Sequence, residues 1–326
     1  MKAAVYTRYG PPDVLQIRDV EKPVPRDTEV LIRVRAASVN LLDWYFMRGM
    51  PYFLRIMAGL SKPKDKRLGV DVAGEVEAVG RNVMQFKPGD EVFGACRGAF
   101  AEYACTSESA LVMKPGNVTF EQAASVPVAA FTALQGLRDK GQIQPGQKVL
   151  INGAAGGVGT FAVQIAKSFG AEVTGVCSTR NVGMVRSIGA DQVIDYTQED
   201  FTKSGQRYDL LFDCVGNHSL SACRRVLNPK GIYIAVGGPV GRWMIGVLAR
   251  MIKALVLSWF VSQTLAMVLA KPSQEDLTLM RGLMEAGKVT PVIDRRYRLS
   301  EVPEAIRYLE EGHARGKVVI TLEYRT

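Results

Sequence analysis

The 326-residue sequence holds only two histidines, His218 and His313, and no Cys-x-x-Cys pair. Its five cysteines, Cys96, Cys105, Cys177, Cys214 and Cys223, form an odd set. Such a set argues against a disulfide framework and for a reducing compartment. The opening residues, MKAAVYTRYG, lack the apolar run of a signal peptide, so the expected location is cytoplasmic. Long apolar runs are missing too. Ala254 to Ala270 carries 17 residues without a formal charge, interrupted by Ser258, Ser262, Gln263 and Thr264. A membrane span wants about 20 apolar residues. A buried or subunit-interface helix is expected there instead, and with it a homodimer; a peripheral membrane contact through residues 243–270 is the alternative. With 47% hydrophobic and 22% charged residues, the composition excludes a disordered or fibrous chain.

The charge balance is 41 − 32 = +9, which favours anionic ligands without choosing among them. No interleaving of aromatic and basic residues marks a single-strand binder, so nucleic acid is not an expected partner. Six basic residues, Arg48, Arg55, Lys62, Lys64, Lys66 and Arg67, stand against one acid, Asp65, in the stretch 48–67. This net +5 segment reads as a solvated loop or as one that attracts acidic substrates or a membrane surface.

The first 115 or so residues read as short strands broken by Gly and Pro: KAAVYTR, EVLIRVRAASVN, GVDVAGEVEAVG, GDEVFG and AEYACT. Past Thr119 the pattern becomes helical, and from Lys148 strands and helices alternate. Strands are expected at 148–152, 172–177, 192–196, 209–215 and 232–236. Apolar positions Val158, Phe161, Ala162, Ile165, Ala166 and Phe169 predict one buried helical face after the first of them. Repeated βα units with apolar strands imply a doubly wound parallel sheet. Two further helix-then-strand segments close the chain, with Ser273 and Ser300 as expected N-caps and Gly287 and Gly312 as terminators.

The strongest chemical signal is Gly153-Ala154-Ala155-Gly156-Gly157-Val158-Gly159, between the strand KVLIN and the amphipathic helix. Glycines there let the backbone approach a pyrophosphate, and the helix start offers N–H donors and a positive dipole end. An NAD site would present an acid at the end of the next strand. This one ends Cys177-Ser178-Thr179-Arg180, where hydroxyls and a guanidinium suit the 2′-phosphate of NADP. A solvated Arg180 at a helix start is the alternative.

At this point the sequence resembles the medium-chain dehydrogenase/reductase superfamily, in its zinc-free quinone oxidoreductase (zeta-crystallin-like) branch. The matching stretches run in order along the chain: AASVNLLDW, GVDVAGEVEAVG, PGDEVFG, GAFAEY, AASVPVAAFTAL, the AAGGVG loop, IGADQVIDY and YDLLFDCVG. The resemblance implies an α/β protein: a GroES-like β-rich catalytic domain from 1–122 and 271–326, discontinuous in sequence, and a Rossmann NADP-binding domain from 123–270. Zinc relatives carry Cys, His and usually Cys near positions where this chain has Ser38, Val70 and Val128, so no metal is expected. Without zinc to stabilise an alkoxide, the implied reaction is NADPH-dependent reduction of a quinone or an α,β-unsaturated carbonyl. The alternatives are an enoyl-thioester reductase and a low-turnover NADPH-binding protein associated with nucleic acid or a membrane surface.

By the same resemblance, Asn40 and Asp43 face the nicotinamide cleft and Thr132 contacts the cofactor. Asn40 either donates to a substrate oxygen or satisfies backbone groups in a buried turn. Tyr45 and Tyr52 are proton donors or pocket walls. For the cofactor, Gly153, Ala155, Gly156, Gly157, Val158 and Gly159 would meet the pyrophosphate, and Ser178, Thr179 and Arg180 the 2′-phosphate. Tyr196 would lie beside the adenosine, Val215, Gly237 and Gly238 beside the nicotinamide. Lys317 is a further phosphate or nicotinamide neighbour, or a solvent-facing lysine.

Overall fold

The computed structural model describes residues 1–237 and 262–323, and the chain divides into two compact units. One unit comprises Met1–Ala129, Pro272–Gly287 and Pro291–Thr326; the other comprises Ala130–Lys271 and Lys288–Thr290.

The first unit is mostly β. Strands β1 (Lys2–Val5) and β2 (Gln16–Asp19) pair by themselves. The long β3 (Glu29–Val39) pairs antiparallel with β4 (Asp71–Val79), which continues to β5 (Glu91–Ala95); β6 (Tyr103–Ser107) also pairs with β3, and β7 (Leu111–Met113) pairs with β5. In β3, the valines, Leu31, Ile32 and the alanines are buried, while Arg33 and Arg35 keep contact with solvent. That β-branched, apolar content suits a strand with three partners. Between β3 and β4 the chain forms α1 (Leu41–Arg48) and the short α2 (Leu54–Ala58); α3 (Phe120–Ala124) and α4 (Pro127–Gln135) follow β7.

The second unit is the alternating one. Strands β8 (Lys148–Asn152), β9 (Glu172–Cys177), β10 (Gln192–Asp195), β11 (Tyr208–Asp213), β12 (Leu227–Ala235) and β13 (Thr264–Met267) form one parallel sheet in the order 10-9-8-11-12-13. Helices α5 (Gly157–Ser168), α6 (Val182–Ser187) and α7 (Leu220–Arg225) supply its crossovers. Strand order reverses between β8 and β9 on one side and β8 and β11 on the other, which makes the C-terminal ends of these strands the switch point.

The tail adds α8 (Gln274–Glu285), β14 (Ile293–Arg298), α9 (Val302–Glu310) and β15 (Lys317–Thr321) to the first unit; β15 pairs with β3 and carries β14 on its other edge. Ser273 caps α8 through Asp276 N–H as expected, and Gly287 and Gly312 donate to Met284 and Leu309 carbonyls at the helix ends.

Three local expectations need correction. Ser300 does not cap α9: it sits within a 3-10 turn, and the backbone N–H of Arg298 is taken instead by the Glu301 carboxylate. Helix α5 buries every residue from Gly159 to Ala166 rather than one face, and on its polar side the buried Gln164 is satisfied by both the N–H and the carbonyl of Thr290. The expected 254–270 helix fails over its described part, since Thr264–Met267 is a strand parallel to β12. A short apolar run has no periodicity that separates the two. Residues 238–261, including Gly238, lie outside the described residues.

Candidate functional site

In the second unit, the predicted phosphate loop joins β8 to α5. Gly153 adopts φ +85°, a conformation that side chains disfavour, and a Cβ on Gly159 would stand 2.0 Å from the Gly153 carbonyl oxygen. The helix start therefore packs against the strand end at Gly159 with no room for a side chain there. Gly156 is the N-cap, and no side chain caps the helix. The backbone amides at this end are the kind of donors that receive a phosphate.

Neighbouring strand ends bring the other expected residues to the same edge of the sheet. Ser178 starts the turn after β9, and Asn181 Nδ2 donates to its hydroxyl at 3.2 Å. Arg180 is exposed on that turn, and the N–H of the exposed Tyr196 donates to the Cys177 carbonyl, so the ends of β9 and β10 adjoin. After β11, Asp213 is a hub that sequence reasoning missed. Its carboxylate accepts from Asn152 Nδ2 (2.9 Å), the N–H groups of Val215 (3.1 Å) and Gly216 (2.8 Å), and Tyr233 Oη (2.8 Å). It thereby fixes the turn that carries Val215, while Gly237 N–H donates to the Asp213 carbonyl. The available signal was a lone acid at the end of an apolar strand. Thr132 lies on α4, half-buried.

A second overlooked acid is Asp195, paired in register with Cys177 at the end of the neighbouring strand. Its carboxyl lies below the usual range because hydroxyl hydrogen bonds, that of Thr179 first, favour the charged form. Thr197 also donates to it through N–H (3.0 Å) and hydroxyl (2.8 Å). Thr179 is thus engaged with this acid and with Thr197 Oγ1 (2.9 Å).

In the first unit, Asn40, Asp43 and Lys317 come together with Ser38 and Asp71 in a buried polar cluster. Lys317 is 3% exposed; its ammonium donates to Asn40 Oδ1 at 2.6 Å and reaches Asp71 Oδ2 at 3.5 Å. Asn40 Nδ2 donates to Asp71 Oδ2 (2.9 Å) and to the Ser38 carbonyl (3.3 Å). Ser38 Oγ (2.7 Å) and the Val128 N–H (3.0 Å) complete the shell of Asp71. Asp43, at the first turn of α1, accepts from the N–H groups of Asn40 (2.8 Å) and Gly69 (3.0 Å). Burial pushes its carboxyl up to about 7, against those two hydrogen bonds. Burial also lowers Lys317, against the pull of Asp71.

Asn40 has both amide hydrogens and its oxygen engaged within the protein, at the turn between β3 and α1. Lys317 is buried, and its ammonium serves Asn40 and Asp71. Tyr45 packs edge-on to Trp44, and burial raises its phenol. Tyr52 carries the Arg55 guanidinium over its ring at 4.8 Å.

The positions expected to hold zinc in metal-bearing relatives also meet here. Ser38 and Val128 both donate to Asp71, Val70 precedes it in sequence, and the cation beside it is the Lys317 ammonium. A hydroxyl and two valines are not a zinc donor set. Among the described residues, no three His, Cys, Asp or Glu side chains are grouped to hold a metal ion.

Comparison with known proteins gives a consistent picture. Residues 26–116 match the alcohol dehydrogenase GroES-like domain, and residues 188–320 match the family described as zinc-binding dehydrogenase. The chain is 34% identical to the chloroplast envelope quinone oxidoreductase homolog of Arabidopsis thaliana, over 98% of both chains. It is 33% identical to the NADPH-dependent alkenal/one oxidoreductase of the same plant, a chloroplastic protein, over 98% of this chain and 79% of that one. Among solved structures, the quinone oxidoreductase from Coxiella burnetii superimposes with a TM-score of 0.85 at 31% identity, covering 99% of each chain.

Proposed function

Because the chain belongs to the medium-chain dehydrogenase/reductase superfamily, in its quinone oxidoreductase-like branch, we propose that it is an NADPH-dependent reductase of quinones or α,β-unsaturated carbonyls. The observation that carries this reading is the glycine cradle at the switch point of the parallel sheet, together with a turn bearing Ser178 and Arg180 and no acid of its own. The backbone from Gly156 to Val158 would hold the pyrophosphate, and Ser178 and Arg180 the 2′-phosphate. Tyr196 would flank the adenosine, and Val215 and Gly237, on the Asp213-fixed turns, the nicotinamide. When bound, NADPH supplies hydride to a carbon already made electrophilic by conjugation to a carbonyl.

We assign the catalytic side to the first unit, where Asn40 and Asp43 fix the path of α1 and its following loop. Tyr45 and Tyr52 on that segment are the phenols to which we assign proton donation. The reaction as we read it is metal-independent, since the residues at the expected zinc positions do not fit that ion and a buried ammonium already faces Asp71. We also propose a homodimer, because β13 is an edge strand with exposed Leu269 just beyond it. A cytoplasmic location is supported by five free thiols, and no described helix is long and apolar enough to cross a membrane.

Turnover of an enone with NADPH deuterated at the transferable position tests the reaction. The expected product is the saturated ketone or aldehyde with deuterium at the β-carbon and a solvent proton at the α-carbon. Deuterium at the carbonyl carbon, in an alcohol product, would overturn the assignment.

A further inference from the structure

The segment between α1 and β4 carries an unusual surface. Phe53 is 51% exposed, Ile56 70% and Leu60 74%, three large apolar side chains spaced three and four residues apart along α2 and the turn after it. Phe53 and Ile56 lie one helical turn apart, and Leu60 follows the reversal at Gly59, so three exposed apolar side chains fall within eight residues of one short segment. Leu41, at the start of α1, is also exposed.

The segment is firmly held, so the exposure belongs to the fold. Tyr9 Oη donates to the Gly59 carbonyl at 2.6 Å, and Arg55 Nε donates to the Gly49 carbonyl at 2.9 Å. The Arg55 guanidinium lies over the rings of both Tyr9 (4.6 Å) and Tyr52 (4.8 Å). Lys64 N–H returns to the Ala58 carbonyl at 2.8 Å, which folds the following turn back onto the end of α2. Gly59 permits that reversal: a Cβ there would stand 2.1 Å from the Lys62 carbonyl oxygen.

The stretch that follows carries Lys62, Lys64 and Lys66, all three exposed and none in an ion pair among the described residues, with one exposed acid, Asp65, between them. Arg48, in contrast, is already paired with Glu310. The segment thus joins exposed apolar side chains to an excess of ammonium groups over carboxylates.

We propose that this segment docks the protein on an anionic lipid bilayer, with Phe53, Ile56 and Leu60 entering the interface and Lys62, Lys64 and Lys66 meeting lipid phosphates and carboxylates. Charge complementarity selects this occupant. A second copy would oppose the net +5 stretch with its own. The apolar sequence 238–261 carries Arg242, Arg250 and Lys253 and no acid, so it is no better matched. A stable protein partner needs about 800 Å² from each side, far more than three side chains present. The proposal does not depend on turnover, but it joins the proposed chemistry to substrates dissolved in the bilayer, such as long-chain quinones.

The test is flotation of the full chain, without cofactor, with vesicles of phosphatidylcholine alone or mixed with phosphatidylserine. The wild type is expected to float with the anionic vesicles and to be released by salt. Lys62→Gln/Lys64→Gln/Lys66→Gln should weaken binding by about 100-fold, from the energy of one lysine at an anionic surface taken three times. Phe53→Ser/Ile56→Ser/Leu60→Ser should weaken it also on a folded protein, as NADPH titration will report; Val24→Ser, an exposed site elsewhere, should not. Absence of flotation by the wild type, equal binding to neutral vesicles, or binding that survives both triple variants would overturn the proposal. So would binding to single-stranded RNA without binding to vesicles, which would assign the basic stretch to nucleic acid.

Discussion

The buried Lys317–Asp71 pair offers the sharpest quantitative prediction. Lys317→Met keeps the aliphatic length of the side chain and deletes the ammonium, leaving Asn40 Oδ1 without its donor and Asp71 without its counter-charge. Removing one partner of a buried ion pair costs about 3–5 kcal/mol. Asp71 retains Ser38 Oγ, Asn40 Nδ2 and the Val128 N–H, so the expected loss lies at the lower end, about 3 kcal/mol. Adding Asp71→Asn removes the orphaned charge while keeping an acceptor, and the double variant should recover at least a third of that loss. Urea unfolding, with hydrogen exchange along β3, β4 and β15 to localise the effect, measures both numbers. A loss below about 1 kcal/mol for Lys317→Met, or strict additivity with Asp71→Asn, would refute the reasoning that this ammonium stabilises the cluster.

Three further outcomes follow from the same geometry. Arg180→Ala should reduce the preference for NADPH over NADH by about tenfold or more, the worth of one or two charge-assisted hydrogen bonds, as read from kcat/KM with each cofactor. Gly159→Val should abolish NADPH binding in a fluorescence titration, because its Cβ would fall 2.0 Å from the Gly153 carbonyl oxygen. Asp43 rises from 3.8 unfolded to about 7 folded, so its contribution to stability is full below about 4 and lost as pH climbs through about 7. Asp43→Asn should flatten the stability–pH curve of the first unit across that window, and an unchanged slope would count against a raised Asp43.

What was legible in the sequence was local. The strand–glycine loop–helix passage and the alternation after Lys148 follow from spacing along a short stretch, and both appear as expected. The partners of Asp71 were not legible, because Ser38, Val128 and Lys317 lie 33, 57 and 246 residues away and meet only when β3, β4 and β15 pair. The engagement of Asn40 was not legible for the same reason: its amide oxygen is taken by a lysine 277 residues distant. Asp195 escaped because the expected acid belongs at the end of the strand after the glycine loop, whereas this one arrives from the next strand over. At Thr264–Met267 the run was too short for helical and extended periods to differ.

Chelator-treated protein mixed with NADPH and a panel of quinones and enones, with NADH as the control, tests the central claim most directly through the loss of reduced-cofactor absorbance. At least one of these acceptors should be turned over, insensitive to chelation and faster with NADPH than with NADH. Tight NADPH binding with no oxidation by any acceptor, or activity that chelation removes and zinc restores, would contradict that claim.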